Sequence, residues 1–143
     1  MGLTNMGVSA EILLPGEAVT APCLALTAPI SFWGGVDPRS GAIIDARHPQ
    51  RGQCVAGMVL ALPGTIGSSS ASAVLLELVH AGKAPAAILI AEPDAILLLG
   101  LVVAREMGWP TPPALKLPAA IQAGLAGKRL SIAKDGAIST ATP

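Results

Sequence analysis

Two unbroken apolar runs dominate the middle of the chain, VAGMVLALPG (55–64) and APAAILIAE (84–92). Runs of this length bounded by Gly and Pro predict strands covered on both faces. Between them, from Ser68, the period becomes helical. Val74, Leu75, Leu78 and Val79 fall at i, i+1, i+4 and i+5, and Gly82 stands where that helix should end. PDAILLLGLVVAREMG (93–108) predicts a second helix, entered through Asp94 and stopped near Gly108. Being apolar on nearly all faces, it is expected to be buried on more than one side. ALKL (114–117) predicts a short strand, PAAIQAGLAG (118–127) a short helix with Pro118 in its first turn, and KRLSIA (128–133) a last strand before an Asp135–Gly136 turn.

The N-terminal part is less periodic. Residues 1–21 predict an extended arm or short edge strand. CLALTAPISFWGG (23–35) is β-like, with Pro29 marking an edge or bulge because proline donates nothing to a ladder. VDPRSG (36–41) has turn chemistry and AIIDA (42–46) reads as a returning strand, which makes Leu24 to Ala46 a hairpin with an elaborated loop. The tail, 137–143, is expected to be frayed or a short final strand. An N-terminal β part followed by strand–helix–strand–helix predicts one α/β domain over 1–143, a layered β/β/α arrangement with some parallel pairing and no internal repeat.

Composition narrows this picture. Hydrophobic residues make up 52% of the 143, but aromatics only 2%, with one Phe, two Trp and no Tyr. The core must therefore be built from small aliphatic side chains and close backbone approach. Only 13% of residues are charged, about half the usual share. Two accounts fit: part of the surface is buried against a partner, or the chain is a compact Ala-rich monomer. A membrane span is not expected, because the longest uncharged helical run, Ala95–Ala104, has ten residues, against roughly 20 for a bilayer. The first residues lack the basic-then-apolar order of a leader, so a cytoplasmic location is expected. Net charge is zero and no basic stripe carries interleaved aromatics, which argues against nucleic acid. Cys23 and Cys54 have no CxxC companion and are too few for a zinc or iron–sulfur site in this chain alone; both are expected to be buried free thiols.

The candidate chemistry lies in LPGTIGSSSASAVLLELV (62–79), where four serines fall within five residues at the start of a helix. A helix N-terminus attracts carboxylate or phosphate oxygens, and Gly64 and Gly67 permit close approach of a ligand. One serine is accounted for by N-capping; four exceed that need. The Lys of a P-loop is missing, and the spacing is not that of an esterase elbow. His48 is the nearest candidate base, with no acidic residue evident to orient it; a surface or structural role fits it better. Arg39, Arg47, His48 and Arg51 are loop charges that either touch a substrate carboxylate or partner or are simply solvated, and Asp37 is a turn residue. The AEPDAILLLG helix, with Glu92 and Asp94 before it, belongs to core and interface rather than to an active site.

ISFWGGVDPRSGAIIDARHPQRGQ, LPGTIGSSSASAVLLEL and GKAPAAILIAEPDAILLLGLVVAREMGWP together resemble the swivel domain, or small subunit, of the aconitase X family of hydro-lyases. The resemblance runs over about Ser31 to Pro113. It implies a swivelling β/β/α fold that closes over a small hydroxy acid on a large subunit, which holds the iron–sulfur cluster when there is one. It also implies that Ser68, following Gly67, is the general base, with Gly67, Ser69 and Ser70 lining the substrate. The wider superfamily has Arg where Ser70 stands, so a carboxylate-clamping guanidinium must come from the other chain. The substrates implied are cis-3-hydroxy-L-proline and mevalonate 5-phosphate. The Lys-poor composition is unlike a hyperthermophile's and inclines to the proline derivative. Two other classes stand beside this one: a phosphocarrier domain using His48, and a scaffold in which the serines only cap.

Overall fold

In a computed structural model, which describes residues 7–67 and 69–141, the two apolar runs form neighbouring parallel strands at the centre of one sheet. Among the described residues the order is β1 (Val8–Ser9), β2 (Glu11–Leu14), β3 (Val19–Ala25), α1 (Phe32–Gly35), β4 (Val59–Leu62), α2 (Ala71–Ala81), β5 (Ala87–Ile90), α3 (Ala95–Glu106), β6 (Ala114–Lys116), α4 (Ala119–Ala123), β7 (Arg129–Ile132) and β8 (Ala137–Thr140). The strands lie in the order β1-β8-β7-β3-β4-β5-β6-β2. From β3 to β6 they run parallel, and the remaining pairs are antiparallel.

Every residue of β4 and β5 is buried, as an apolar run without alternation requires. Leu60, Leu62, Ile88 and Ile90 join the cluster under α1, α2 and α3, whereas Val59, Ala61, Ala87 and Leu89 join a second cluster with Leu125, Leu130 and Ile138. The layered α/β arrangement expected from the pattern is thus present. Only Ala10 separates β1 from β2, yet these strands pair with β8 and β6, so one short stretch of chain borders both ends of the sheet. The sheet accordingly curls to near closure around the second cluster. Ala10 N–H donates to the Gly136 carbonyl at 2.9 Å where the two ends meet.

The helix at 71–81 buries the predicted stripe of Val74, Leu75, Leu78 and Val79, and Gly82 ends it with φ of 72°. Asp94 caps α3, its Oδ1 accepting from Ile96 N–H at 2.9 Å. Where α2 and α3 cross, a Cβ on Gly100 would stand 2.5 Å from the Ser72 carbonyl oxygen. This is the close backbone approach that a core poor in aromatics demands.

Four expectations are corrected. The chain from Leu24 to Ala46 is not a regular hairpin: β3 ends at Ala25, the four-residue turn α1 follows at Phe32–Gly35 with non-helical backbone at Trp33 and Gly34, and AIIDA makes only isolated bridges, Val36 to Ile43 and Ala42 to Cys54. The reason is that the partners of β3 are distant segments, β7 along Val19–Pro22 and parallel β4 along Cys23–Ala25, so the pairing a returning strand would make at Leu24–Ala25 is taken by β4. Pro29 accordingly lies in the loop after the strand. The second correction concerns α3, which is not covered on nearly all faces: Ile96, Leu99, Val102 and Val103, with Met107 at its C-cap, are exposed, because α3 packs on α2 and on the cluster they share with the sheet, and among the described residues nothing covers its outer face. Third, Cys54 is exposed, although Cys23 is buried; Cys54 lies in the irregular bridge region, not in a strand facing a core. Pro118 stands at the N-cap of α4, one place before its first turn. Among the described residues no helix is long and apolar enough to cross a membrane.

Candidate active site

Because β3, β4 and β5 are parallel, their C-terminal ends share one edge, the usual place for a ligand in a sheet of this kind. The loop from Pro63 to Ser70 leaves β4 there and enters α2, an 11-residue helix. Its first half is held on both sides. Ile66 N–H donates to the Ile30 carbonyl at 3.0 Å on the β3–α1 side, and Glu92 N–H donates to the Pro63 carbonyl at 3.0 Å on the β5–α3 side. Thr65 Oγ1 donates to Asp94 Oδ2 at 2.6 Å. A Cβ on Gly67 would meet nothing within 4 Å, so the loop opens outward there.

Of the residues expected to do chemistry, Gly67 and Ser69 are exposed and Ser70 is half-buried. Ser70 occupies the N-cap of α2 without a side-chain bond to the helix's first amides, although it has interactions elsewhere. Ser68 lies outside the described residues. Ile66, within the loop, and Trp33, in the segment after β3, are exposed to 55% and 61%.

His48 is only 6% exposed. Gln50 N–H donates to its Nδ1 at 3.0 Å, so the proton sits on Nε2, which donates to the Ala28 carbonyl at 3.0 Å. Both ring nitrogens are spent on backbone, leaving none to act as a base or carry a phosphoryl group. Its work is structural: together with Gln50, whose Oε1 accepts from Thr27 N–H, it ties the polar loop to the segment after β3. Arg39, Arg47 and Arg51 are exposed. Arg39 N–H donates to Asp37 Oδ1 at 2.9 Å; this bond, with the neighbouring guanidinium, holds the Asp37 carboxyl below the usual carboxylate range. Asp37 is a turn residue, as expected.

On the α4 side of the same edge lies a groove of about 310 Å³, lined by Leu26, Thr27, Pro63, Ala119 and Gln122 among others. Gln122 is buried, and its Nε2 donates to the carbonyls of Leu62, Leu89 and Leu117 at 2.9 to 3.3 Å. It pins the strand ends from beneath.

The side chains here do not fit an iron–sulfur cluster. Burial pushes the Cys23 thiol up to about 11, which keeps it protonated, and the exposed Cys54 Sγ donates to the Ser40 carbonyl. Among the described residues no three potential metal ligands cluster.

A family model described as Aconitase X swivel domain matches residues 8–140. The chain belongs to this family of swivel domains. It is 53% identical over 92 residues to a cis-3-hydroxy-L-proline dehydratase of Pseudomonas aeruginosa, a match that covers 64% of this chain but 15% of that enzyme. With the phosphomevalonate dehydratase small subunit of Methanopyrus kandleri it shares 42% over 87 residues, covering 61% of this chain and 64% of the subunit. The chain thus spans less than two thirds of either relative. The crystal structure of Thermococcus kodakaraensis aconitase X in its holo-form superposes with a TM-score of 0.77 at 26% identity, covering 95% of this chain and all of that one.

Thr65 and Asp94 are the residues of the site that sequence reasoning missed. Asp94 was legible as a cap, but nothing in the pattern shows that its second oxygen reaches across to the serine loop.

Proposed function

We propose that this chain is the small subunit of a two-chain hydro-lyase that dehydrates a small hydroxy acid, with Ser68 as the general base and Gly67, Ser69 and Ser70 lining the substrate. One observation carries the reading: the loop that leaves β4 and enters α2, on which Gly67, Ser69 and Ser70 are described, sits at the shared C-terminal edge of the parallel strands in a chain of the aconitase X swivel family, and a helix start of this kind carries a positive partial charge. A serine hydroxyl is a poor base in water. Close to a helix N-terminus and enclosed by a cation-bearing partner, its alkoxide is favoured, because positive charge stabilises the anion and loss of water strengthens that effect. The base takes the proton from the carbon beside the carboxylate. Expulsion of the hydroxyl from the neighbouring carbon falls to groups on the large subunit, which also holds any iron–sulfur cluster. Ile66, exposed within the loop itself, supports closure of that subunit over this edge.

The preferred substrate is cis-3-hydroxy-L-proline, supported by the 53% identity to the Pseudomonas enzyme. Mevalonate 5-phosphate is the second reading, supported by the relative that is itself a small subunit. A phosphocarrier role is disfavoured by the engaged ring of His48.

The test is co-expression with the large subunit and measurement of water loss from both substrates. Ser68→Ala should lower kcat by about 10²–10⁴ while the two chains still purify together, and this chain alone should be inactive. Full activity in S68A would remove the base from the mechanism, and no dehydration of either compound would remove the function.

A further inference from the structure

The Asp94 carboxylate is divided between two elements. Oδ1 accepts from Ile96 N–H and so caps α3, while Oδ2 accepts from Thr65 Oγ1 at 2.6 Å. That separation is a short hydrogen bond between hydroxyl and carboxyl oxygen. Thr65 also stands opposite Ile30 in a parallel bridge whose bonds are made by its neighbours, the Gly64 carbonyl accepting from Ile30 N–H at 3.4 Å and Ile66 N–H donating to the Ile30 carbonyl at 3.0 Å. The segment is therefore held from the β3–α1 side by main chain next to Thr65 and from the β5–α3 side by the Thr65 side chain. Two residues later, at Gly67, a side chain would meet no neighbour.

From this geometry we infer that Thr65 and Asp94 are positioning residues: their hydrogen bond latches the β4–α2 loop to the cap of α3 and sets where the serine cluster stands against the substrate. The inference rests on the proposed hydro-lyase reading for its functional half only. Its structural half concerns the chain alone. Neither side chain touches the reacting atoms. Their effect is on orientation, so loss of the latch should reduce turnover far more than it weakens substrate binding.

Thr65→Val removes the hydroxyl at nearly constant shape, Thr65→Ser keeps it, and Asp94→Asn keeps a good helix cap while replacing the charged acceptor. Two measurements are made. In the chain alone, amide exchange of the segment 63–70 is followed by mass spectrometry; T65V and D94N should speed it about tenfold, with T65S close to the parent. In the assembled enzyme acting on cis-3-hydroxy-L-proline, T65V should lower kcat about tenfold to a hundredfold with KM nearly unchanged, and T65S should restore most of it. Parent-like exchange and kcat in T65V would overturn the latch, as would a T65S no better than T65V. D94N gives the same readouts should T65V fold poorly. No dehydration of either compound by the assembled parent enzyme, beside altered exchange in T65V, would sink the hydro-lyase reading and leave the latch standing.

Discussion

Single side chains in this protein are set apart by what their polar atoms already hold. His48 spends both nitrogens on backbone, and Gln122 spreads one amide over three carbonyls at the strand ends. The two cysteines divide in the same way. Cys23 is 3% exposed and its thiol is pushed up to about 11 by burial, whereas Cys54 is at the surface. At pH 8 a thiol of that kind is only ~0.1% thiolate, and the thiolate is the reacting species. A chromogenic disulfide reagent at pH 8 should therefore label one thiol per chain rapidly and the second only after unfolding. Cys54→Ser should abolish the fast phase; a fast phase surviving in C54S would show Cys23 to be accessible.

At the scale of elements, the crossing of α2 and α3 is the contact on which the upper layer depends. It is close because Gly100 presents no side chain to the Ser72 backbone. Replacing Gly with Ala in an isolated helix gains about 1 kcal/mol. Here the added methyl would push directly on main chain, and overpacking of that kind costs typically 1–3 kcal/mol. Gly100→Ala should thus destabilise the chain in urea denaturation, and a rise in stability would show that the two helices separate freely. The outer face of α3, with Leu99 at 51% and Met107 at 57% exposure, shows the limit of judging burial from one helix's composition. An apolar surround tells that a helix can be covered, and the number of layers decides whether it is.

For the whole molecule, the decisive feature is that residues 8–14 border both ends of the sheet. The seam runs past Gly136, which has φ of 92° and whose Cβ position is taken by the Ala10 carbonyl oxygen. Gly136→Ala meets both obstacles, the unfavourable left-handed backbone and the contact, and should cost roughly 2 kcal/mol or more. Hydrogen exchange should show β1, β2 and β8 losing protection together while α2 and α3 keep theirs. Loss confined to β8 would mean that the two ends of the sheet are not coupled through the seam.

Much of this arrangement was legible beforehand, and for a common reason. The strands at 59–62 and 87–90, the stripe on α2, the Asp94 cap and the Gly82 stop are written in residues near one another in sequence, where periodicity and backbone preference act directly. The position of the serine loop at a helix start was legible on the same ground. The pairing of β3 with β7 across more than a hundred residues, the near closure through Ala10, the bare face of α3 and the reach of Asp94 to Thr65 were not. Each depends on which segments meet in space. Local sequence therefore determined the elements, the composition of the core and the place of the candidate chemistry. Only tertiary structure decided which edges were free, which apolar faces stayed uncovered and which side chain holds the loop, because those outcomes are properties of pairs of distant segments and are encoded in neither one alone.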